Sequence, residues 1–368
     1  MLHFQLQTTS LFHSAPPALF IALPPQLVPS ACMLRAVLGH DLLCEVAACA
    51  VTIATGSPTE AVAALAALRA RPPIDGVRVG LAEMAVDDKS GQPPANIAGH
   101  DRFFHIHRIP GPKTAVFLHS ILAAATLFNT ETAAEPERSG YFGAVSAGFA
   151  ALLSHLAGVA TAPIDLAVAP APVGTSSCEP ALRWVIGHQI FAALTQGLVM
   201  ALQEFEAAMV AGDDVSVGSA LALAADLLLA SAASFRFACD FPPAAYEDEI
   251  RPSMMPPHVG EGFSGLLSDD HRTLVQAMTR MRPLMAEAAA RFPAGHKRLT
   301  AAFQRVYADH KFICARFGGA EAPSLRGRTC SHLSGVEQLE NYERSRSRLL
   351  RPINRADRFS ADNIGPIE

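Results

Sequence analysis

The run Ala181-Leu182-Arg183-Trp184-Val185-Ile186-Gly187-His188-Gln189 opens a stretch, residues 181–210, whose apolar side chains recur with a helical period until Gly212. Immediately afterwards Asp213 or Asp214 offers a capping oxygen to a second helix, and Val215 to Phe237 is almost wholly apolar. A helix that is apolar on every side has to be enclosed by other helices. The pair therefore predicts the central hairpin of a mainly α protein, bounded by Pro180 before it and Phe241-Pro242-Pro243 after it.

Downstream, Tyr246 to Ser268 reads as a long loop. It mixes Glu247, Asp248, Glu249 and Arg251 with Pro252, Pro256 and Pro257, then runs Gly260-Glu261-Gly262-Phe263-Ser264-Gly265. Its length and its glycines beside an aromatic ring suit a lid over a pocket, and it lacks the pattern of a phosphate loop. Asp269-Asp270-His271 then starts a helix, Arg291-Phe292-Pro293-Ala294-Gly295 turns it, and a return helix carries Asp309-His310-Lys311-Phe312-Ile313-Cys314 up to Gly318-Gly319. His310 and Cys314 are four apart, so they share one helical face. That spacing is open to several readings. It suits a metal pair awaiting distant ligands, or a Cys–His nucleophile pair in need of an orienting group. It also suits a haem held by an imidazole and bonded to the thiol one turn away, with His271 as a second ligand or a mobile base. The plain alternative is a surface histidine facing a buried thiol by accident.

Upstream, the chain is also helical in pattern. Cys32 to Arg71 predicts two or three helices, Lys113 to Phe128 another, a loop over Thr130–Gly140, and Tyr141 to Val159 a further helix. Val77-Arg78-Val79 and Phe104 to Ile109 are the best strand candidates, and Val86 to Asn96 reads as a loop. His100, His105 and His107 crowd together without a carboxylate or thiol to complete a metal set. The Pro-rich run Thr161–Pro180 suggests a soft boundary. The chain thus divides into a loose arm or over-extended start over 1–30, a mainly helical part over 31–175, a core over 176–330, and a polar tail over 331–368 whose one helix is charge-laced.

Of 368 residues, half are apolar and 17% charged, with a net charge of −5, which argues against a nucleic-acid partner. The seven cysteines form no Cys-x-x-Cys pair and suit a reducing cytoplasm. The prolines of the first thirty residues break that segment well short of a membrane span.

Three segments, in order, carry a resemblance. Trp184 to Gln189, on a helix continuing into Leu202-Gln203-Glu204-Phe205-Glu206, resembles the distal-histidine helix of the tryptophan dioxygenases. Tyr246-Glu247-Asp248-Glu249-Ile250-Arg251-Pro252, followed by Gly262-Phe263-Ser264, looks like the segment of those enzymes whose arginine holds the substrate carboxylate. It is similar also to the related haem enzyme of pyrrolnitrin biosynthesis. His271, followed after residues 272–309 by His310-x-x-x-Cys314, matches the haem-dependent 3-methyl-tyrosine hydroxylases of saframycin-type antibiotic pathways. The resemblance covers about Ala181 to Gly319.

It implies a helical bundle of the tryptophan-dioxygenase type enclosing a haem, with His310 and His271 as iron ligands and Cys314 as the thioether attachment. His188 would accept the phenolic proton and Arg251 would hold the amino acid carboxylate, with Tyr246 and Ser264 beside it. The implied reaction hydroxylates 3-methyl-L-tyrosine or L-tyrosine next to the phenol, giving a catechol. It would use dioxygen plus a small reductant, or hydrogen peroxide. The dioxygenases differ in using one axial histidine and opening an indole ring. A bis-histidine haem sensor or electron-transfer protein and a haem-free helical interaction protein are the competing classes, and a homo-oligomer is compatible with each.

Overall fold

The structure is a computed structural model that describes residues 16–70, 95–110, 113–133, 135, 140–165, 174, 176, 178–260, 263–320 and 333–351. Its centre is the predicted hairpin. Helix α7 spans Pro180–Ala211 and α8 spans Asp214–Ala238. Gly212 ends α7 at a φ of 71°, a left-handed conformation that favours glycine, and the Asp213 carboxylate accepts from Ser216 N to begin α8. The two helices approach closely at Gly187, where an added Cβ would collide with Ala238. Both are long and apolar enough to cross a membrane, but 89% and 72% of their apolar windows are buried within the protein. They are core helices.

Around them lie α1 (Ala31–Val37), α2 (His40–Thr55), α3 (Pro58–Arg69), α4 (Ala95–Phe103), α5 (Lys113–Ala133) and α6 (Gly140–Ala157). The second hairpin follows as α9 (Asp269–Met281), α10 (Met285–Arg291) and α11 (Pro293–Arg316), and α12 (Gly335–Leu350) closes the described chain. The expected turn at 291–295 narrows to Phe292, because Pro293 already starts α11 and cannot continue α10, and the single outgoing helix expected before it is broken at Arg282–Leu284. Helix α8 packs against α7, α6 and α11, and α9 lies along α7. The mainly α class read from the sequence is the class observed.

Several expectations differ from the structure. The described part of the arm over 1–30 is ordered: β1 (Leu19–Ala22) pairs in parallel with β2 (Ile106–Ile109), and Leu19 and Ile21 are fully buried. Two segments far apart in sequence pair here, which local pattern does not announce. The helix begun at Lys113 runs on to Ala133, through the start of the expected loop. Tyr246 to Ser268 is not a continuous loop either. Residues 243–253 are helical, with a π turn at Tyr246–Ile250. Its acidic run reads as loop by composition, but Ile250 anchors the inner side of the turn at 2% exposure. Val77-Arg78-Val79, most of Val86–Asn96, residues 166–173 and Cys330 lie outside the described residues.

Candidate functional site

An Asp–His dipeptide occurs on each limb of the second hairpin, and each has the same logic. Asp270 is fully buried and accepts two bonds from Arg108, at 3.0 and 2.7 Å, and one from Gln196 at 2.8 Å. Asp309, 4% exposed, accepts from Arg236 of α8 at 2.6 and 3.2 Å and from Arg305 at 2.8 Å. The next residue on a helix is rotated by about 100°. Each aspartate therefore locks its helix to the core, and the adjacent histidine, His271 or His310, is turned away from that anchor. Both histidines line one cavity.

That cavity, about 350 Å³, lies between α7, α8, the 243–253 segment, α9, α11 and α12. It falls within the roughly 300–1,000 Å³ of small-molecule and cofactor sites. Its apolar walls include Phe104, Phe191, Leu198, Leu228, Phe235 and Met278. All seven residues singled out from the sequence line it: His188, Tyr246, Arg251, Ser264, His271, His310 and Cys314.

The three imidazoles are neutral for one dominant reason. Burial pushes His188 down to about 3, against the pull of the Trp184 carbonyl, and takes His271 to about 3 and His310 to about 4 with Arg346 adding its charge. The His310 ring retains accessible surface where it lines the cavity, and it packs 4.9 Å from Phe235. His310 has no hydrogen-bond partner among the described residues. His188 Nδ1 donates to Trp184 O at 2.7 Å, which leaves Nε2 as an acceptor, and its ring stacks 4.0 Å from Phe104. Cys314 stands one turn beyond His310. Burial raises its thiol pKa, Arg251 opposing, and Gly319 and Gly335 pack so close to Sγ that a Cβ on either would collide with it.

Tyr246 projects from the π turn, stacks 4.3 Å from Phe317 and meets Trp184 edge-on at 5.9 Å. Burial lifts its hydroxyl to about 12, so it stays protonated. Arg251 reaches Glu247 only at 4.0 Å, and that glutamate side chain is 51% exposed, so the pairing expected of an arginine in an acidic run is weak. Ser264 belongs to the segment after Gly262 that carries Phe263 over the cavity.

Sequence reading missed a second group. Of the three crowded histidines only His100 reaches the cavity, with Nδ1 3.3 Å from Asp101 and its ring 4.9 Å from Phe104. The helix expected to be merely charge-laced supplies Gln338, Leu339, Tyr342 and Arg346, and α11 adds Tyr307. The signal was present, since 338, 339, 342 and 346 recur at helical spacing and form one stripe. Alternating charges on the opposite face obscured it. Arg346 Nη1 donates to His271 Nε2 at 3.1 Å and to the Tyr307 hydroxyl at 3.2 Å.

A family model described as SfmD 3-methyl-L-tyrosine peroxygenase matches residues 23–297. The chain belongs to this family. Membership of a peroxygenase family makes the protein an oxidoreductase. The match reaches through the N-terminal helices, which the sequence resemblance had not covered, and ends before His310 and Cys314. A 3-methyl-L-tyrosine peroxygenase of Streptomyces lavendulae is 29% identical over 297 residues, 79% of this chain and 80% of that protein. The crystal structure of reduced SfmD, soaked with sodium hydrosulfite, superposes with a TM-score of 0.62 at 24% identity, covering 80% of this chain and 97% of that one. This likeness shows a shared helical fold.

Proposed function

We propose that this chain is a haem-dependent hydroxylase that converts 3-methyl-L-tyrosine, or L-tyrosine, to the corresponding catechol in cytoplasmic antibiotic biosynthesis. The observation that carries the proposal is the convergence of His310 and Cys314, on one face of α11, with His271 of α9 in a single apolar cavity.

The residues present fit a haem. Among the described residues there is no cluster of three or more His, Cys, Asp or Glu side chains suited to holding a bare metal ion. A porphyrin would bring four nitrogen ligands of its own, and His310 and His271, both neutral imidazoles, would complete its ligand set. His310 would do so with a ring that has no hydrogen-bond partner among the described residues. Cys314 would hold the group covalently through a thioether, and the aromatic and aliphatic walls would shield it from water. When bound, the group would supply the oxidising power that hydroxylation needs, drawn from hydrogen peroxide or from dioxygen with a small reductant.

The chain's own groups then position the substrate. Arg251, held only loosely by Glu247, is free to grip the amino acid carboxylate with two parallel bonds. Tyr246 offers an apolar wall and a protonated hydroxyl beside it, and Ser264 a second hydroxyl from the covering segment. His188, neutral and with Nε2 unprotonated, accepts the phenolic hydrogen bond and draws electron density into the ring carbon next to the hydroxyl. In the peroxide route one oxygen atom enters that C–H bond and the other leaves as water.

The test is direct. Protein purified from haem-replete cells should show a Soret band that stays with the protein through acid–acetone extraction. With hydrogen peroxide it should add one oxygen atom to 3-methyl-L-tyrosine or L-tyrosine, read by mass spectrometry. A colourless protein would refute the proposal. A coloured protein whose spectrum ignores both amino acids would turn it into a haem carrier or sensor.

A further inference from the structure

His271 Nε2 already has a partner. It accepts from Arg346 Nη1 at 3.1 Å, and the same nitrogen of Arg346 is 3.2 Å from the Tyr307 hydroxyl. The guanidinium is held from below by Tyr342, whose ring centroid lies 5.0 Å from Cζ. Arg346 has no carboxylate partner among the described residues, which is unusual for a cation lining an apolar cavity. Its acceptors are two neutral groups, and one of them is the lone pair that a ligating imidazole needs. An sp² nitrogen lone pair serves one partner at a time, so Nε2 can bond to Arg346 or to a metal, but not to both.

We infer that Arg346 is a latch for His271: it receives the imidazole when His271 leaves the iron and so sets how often a coordination position opens. The inference rests on the haem reading above and adds to it a positioning residue that competes for a ligand. Without a waiting partner, an imidazole released into an apolar cavity would lose its bond and gain none. With Arg346 in place, release exchanges one bond for another. A hydrogen bond to a charged group is strong enough to shift such an exchange by roughly 10- to 100-fold.

The experiment compares ferric holoprotein carrying Arg346→Met, Arg346→Lys, Tyr307→Phe and His271→Ala, by absorbance and electron paramagnetic resonance and by the rate of cyanide binding. Arg346→Met should raise the ratio of six-coordinate low-spin to five-coordinate high-spin haem by about 10-fold or more and slow cyanide entry to match. Arg346→Lys, which keeps a cation and a donor, should restore part of the parent ratio, and Tyr307→Phe should leave it within about twofold because its hydroxyl is the other acceptor. If His271→Ala alters the spectrum while Arg346→Met and Arg346→Lys both match the parent, the latch is wrong and the ligand assignment stands. If Arg346→Met only loses haem, with the spin ratio of the remainder unchanged, Arg346 holds the cofactor's periphery and the latch is again wrong. If His271→Ala itself matches the parent, the failure lies in the ligand assignment.

Discussion

Two helices in this chain carry a histidine followed four residues later by a cysteine. On α2, His40 and Cys44 are both exposed, and Sγ lies 3.6 Å from Nε2. On α11, His310 and Cys314 line an apolar cavity with two further neutral histidines. The local sequence gives both pairs the same spacing and the same face. What separates them is the company each helix keeps. Helix α2 begins at a chain turn with Gly39 as its first flanking residue, so its first face meets water. The corresponding face of α11 is covered by α12, the next described helix, and by α8 and the 243–253 segment, both more than fifty residues before His310 in sequence. A His-x-x-x-Cys motif is a site only where distant elements enclose it.

The sharpest way to break this comparison is to remove each histidine in turn. His310→Ala should abolish iron ligation and with it the parent Soret band, whereas His40→Ala should leave the spectrum unchanged. Equal effects of the two changes would mean that enclosure is not what distinguishes the pairs. The thiols follow in size of effect. Cys314→Ala should let acid–acetone extract the haem, and Cys44→Ala should not. In protein prepared without haem, an exposed Cys44 should react with iodoacetamide well before Cys314, whose thiol pKa burial raises.

The seat of the Cys314 thiol offers a graded test. An alanine Cβ at position 319 would stand 2.7 Å from Cys314 O as well as colliding with Sγ, so backbone has to yield along with a side chain. Gly319→Ala should destabilise the protein by about 1–3 kcal/mol, the usual range for overpacking, measured by chemical denaturation. No change in stability would place the thiol elsewhere.

Acid should separate the cavity from the surface as well. His188 has a pKa of about 3 in the folded protein against roughly 6.5 when unfolded. Between those values the unfolded chain binds a proton that the folded chain does not, so stability is complete above about pH 6.5 and falls as pH drops below it. The slope from this one residue reaches up to about 1.4 kcal/mol per pH unit. His188→Gln, measured in haem-free protein by urea unfolding at pH 7 and pH 5, should flatten the acid limb, and an unchanged limb would show that His188 is solvated.

The sequence carried the helical hairpins well because their signals are local. Apolar period, the Asp213 cap, Gly212 and Pro293 each act within a few residues of the structure they decide. The seven cavity residues were legible through three segments in a familiar order, not through any one spacing. The rest depended on contacts across long separations. The burial of Leu19 and Ile21 needs β2, some ninety residues later. The place of Arg346 in the cavity needs α12 to fold back over α9 and α11, and its own segment looks like an ordinary charged helix. His100 looked like part of a triplet, but His107 is exposed beside it and stacks on Phe20 at 5.1 Å.

The smallest effect tests whether the surface pair is inert. His40 is the first residue of α2, where the cap residue Gly39 provides no side-chain oxygen and the opening N–H groups face solvent. A negative charge in the first turn interacts favourably with those groups, and Asp41 already supplies one. His40→Glu should therefore stabilise the protein by about 0.3–1 kcal/mol at low salt, seen as a small rise in melting temperature that fades as salt is added. The Cys44 contact that the change removes is a weak sulfur bond at 3.6 Å between two solvated groups, so its loss should not offset the gain. A net loss of stability would show that the His40–Cys44 contact holds the start of α2 in place, and the two motifs would then differ in what they bind and not in whether they act.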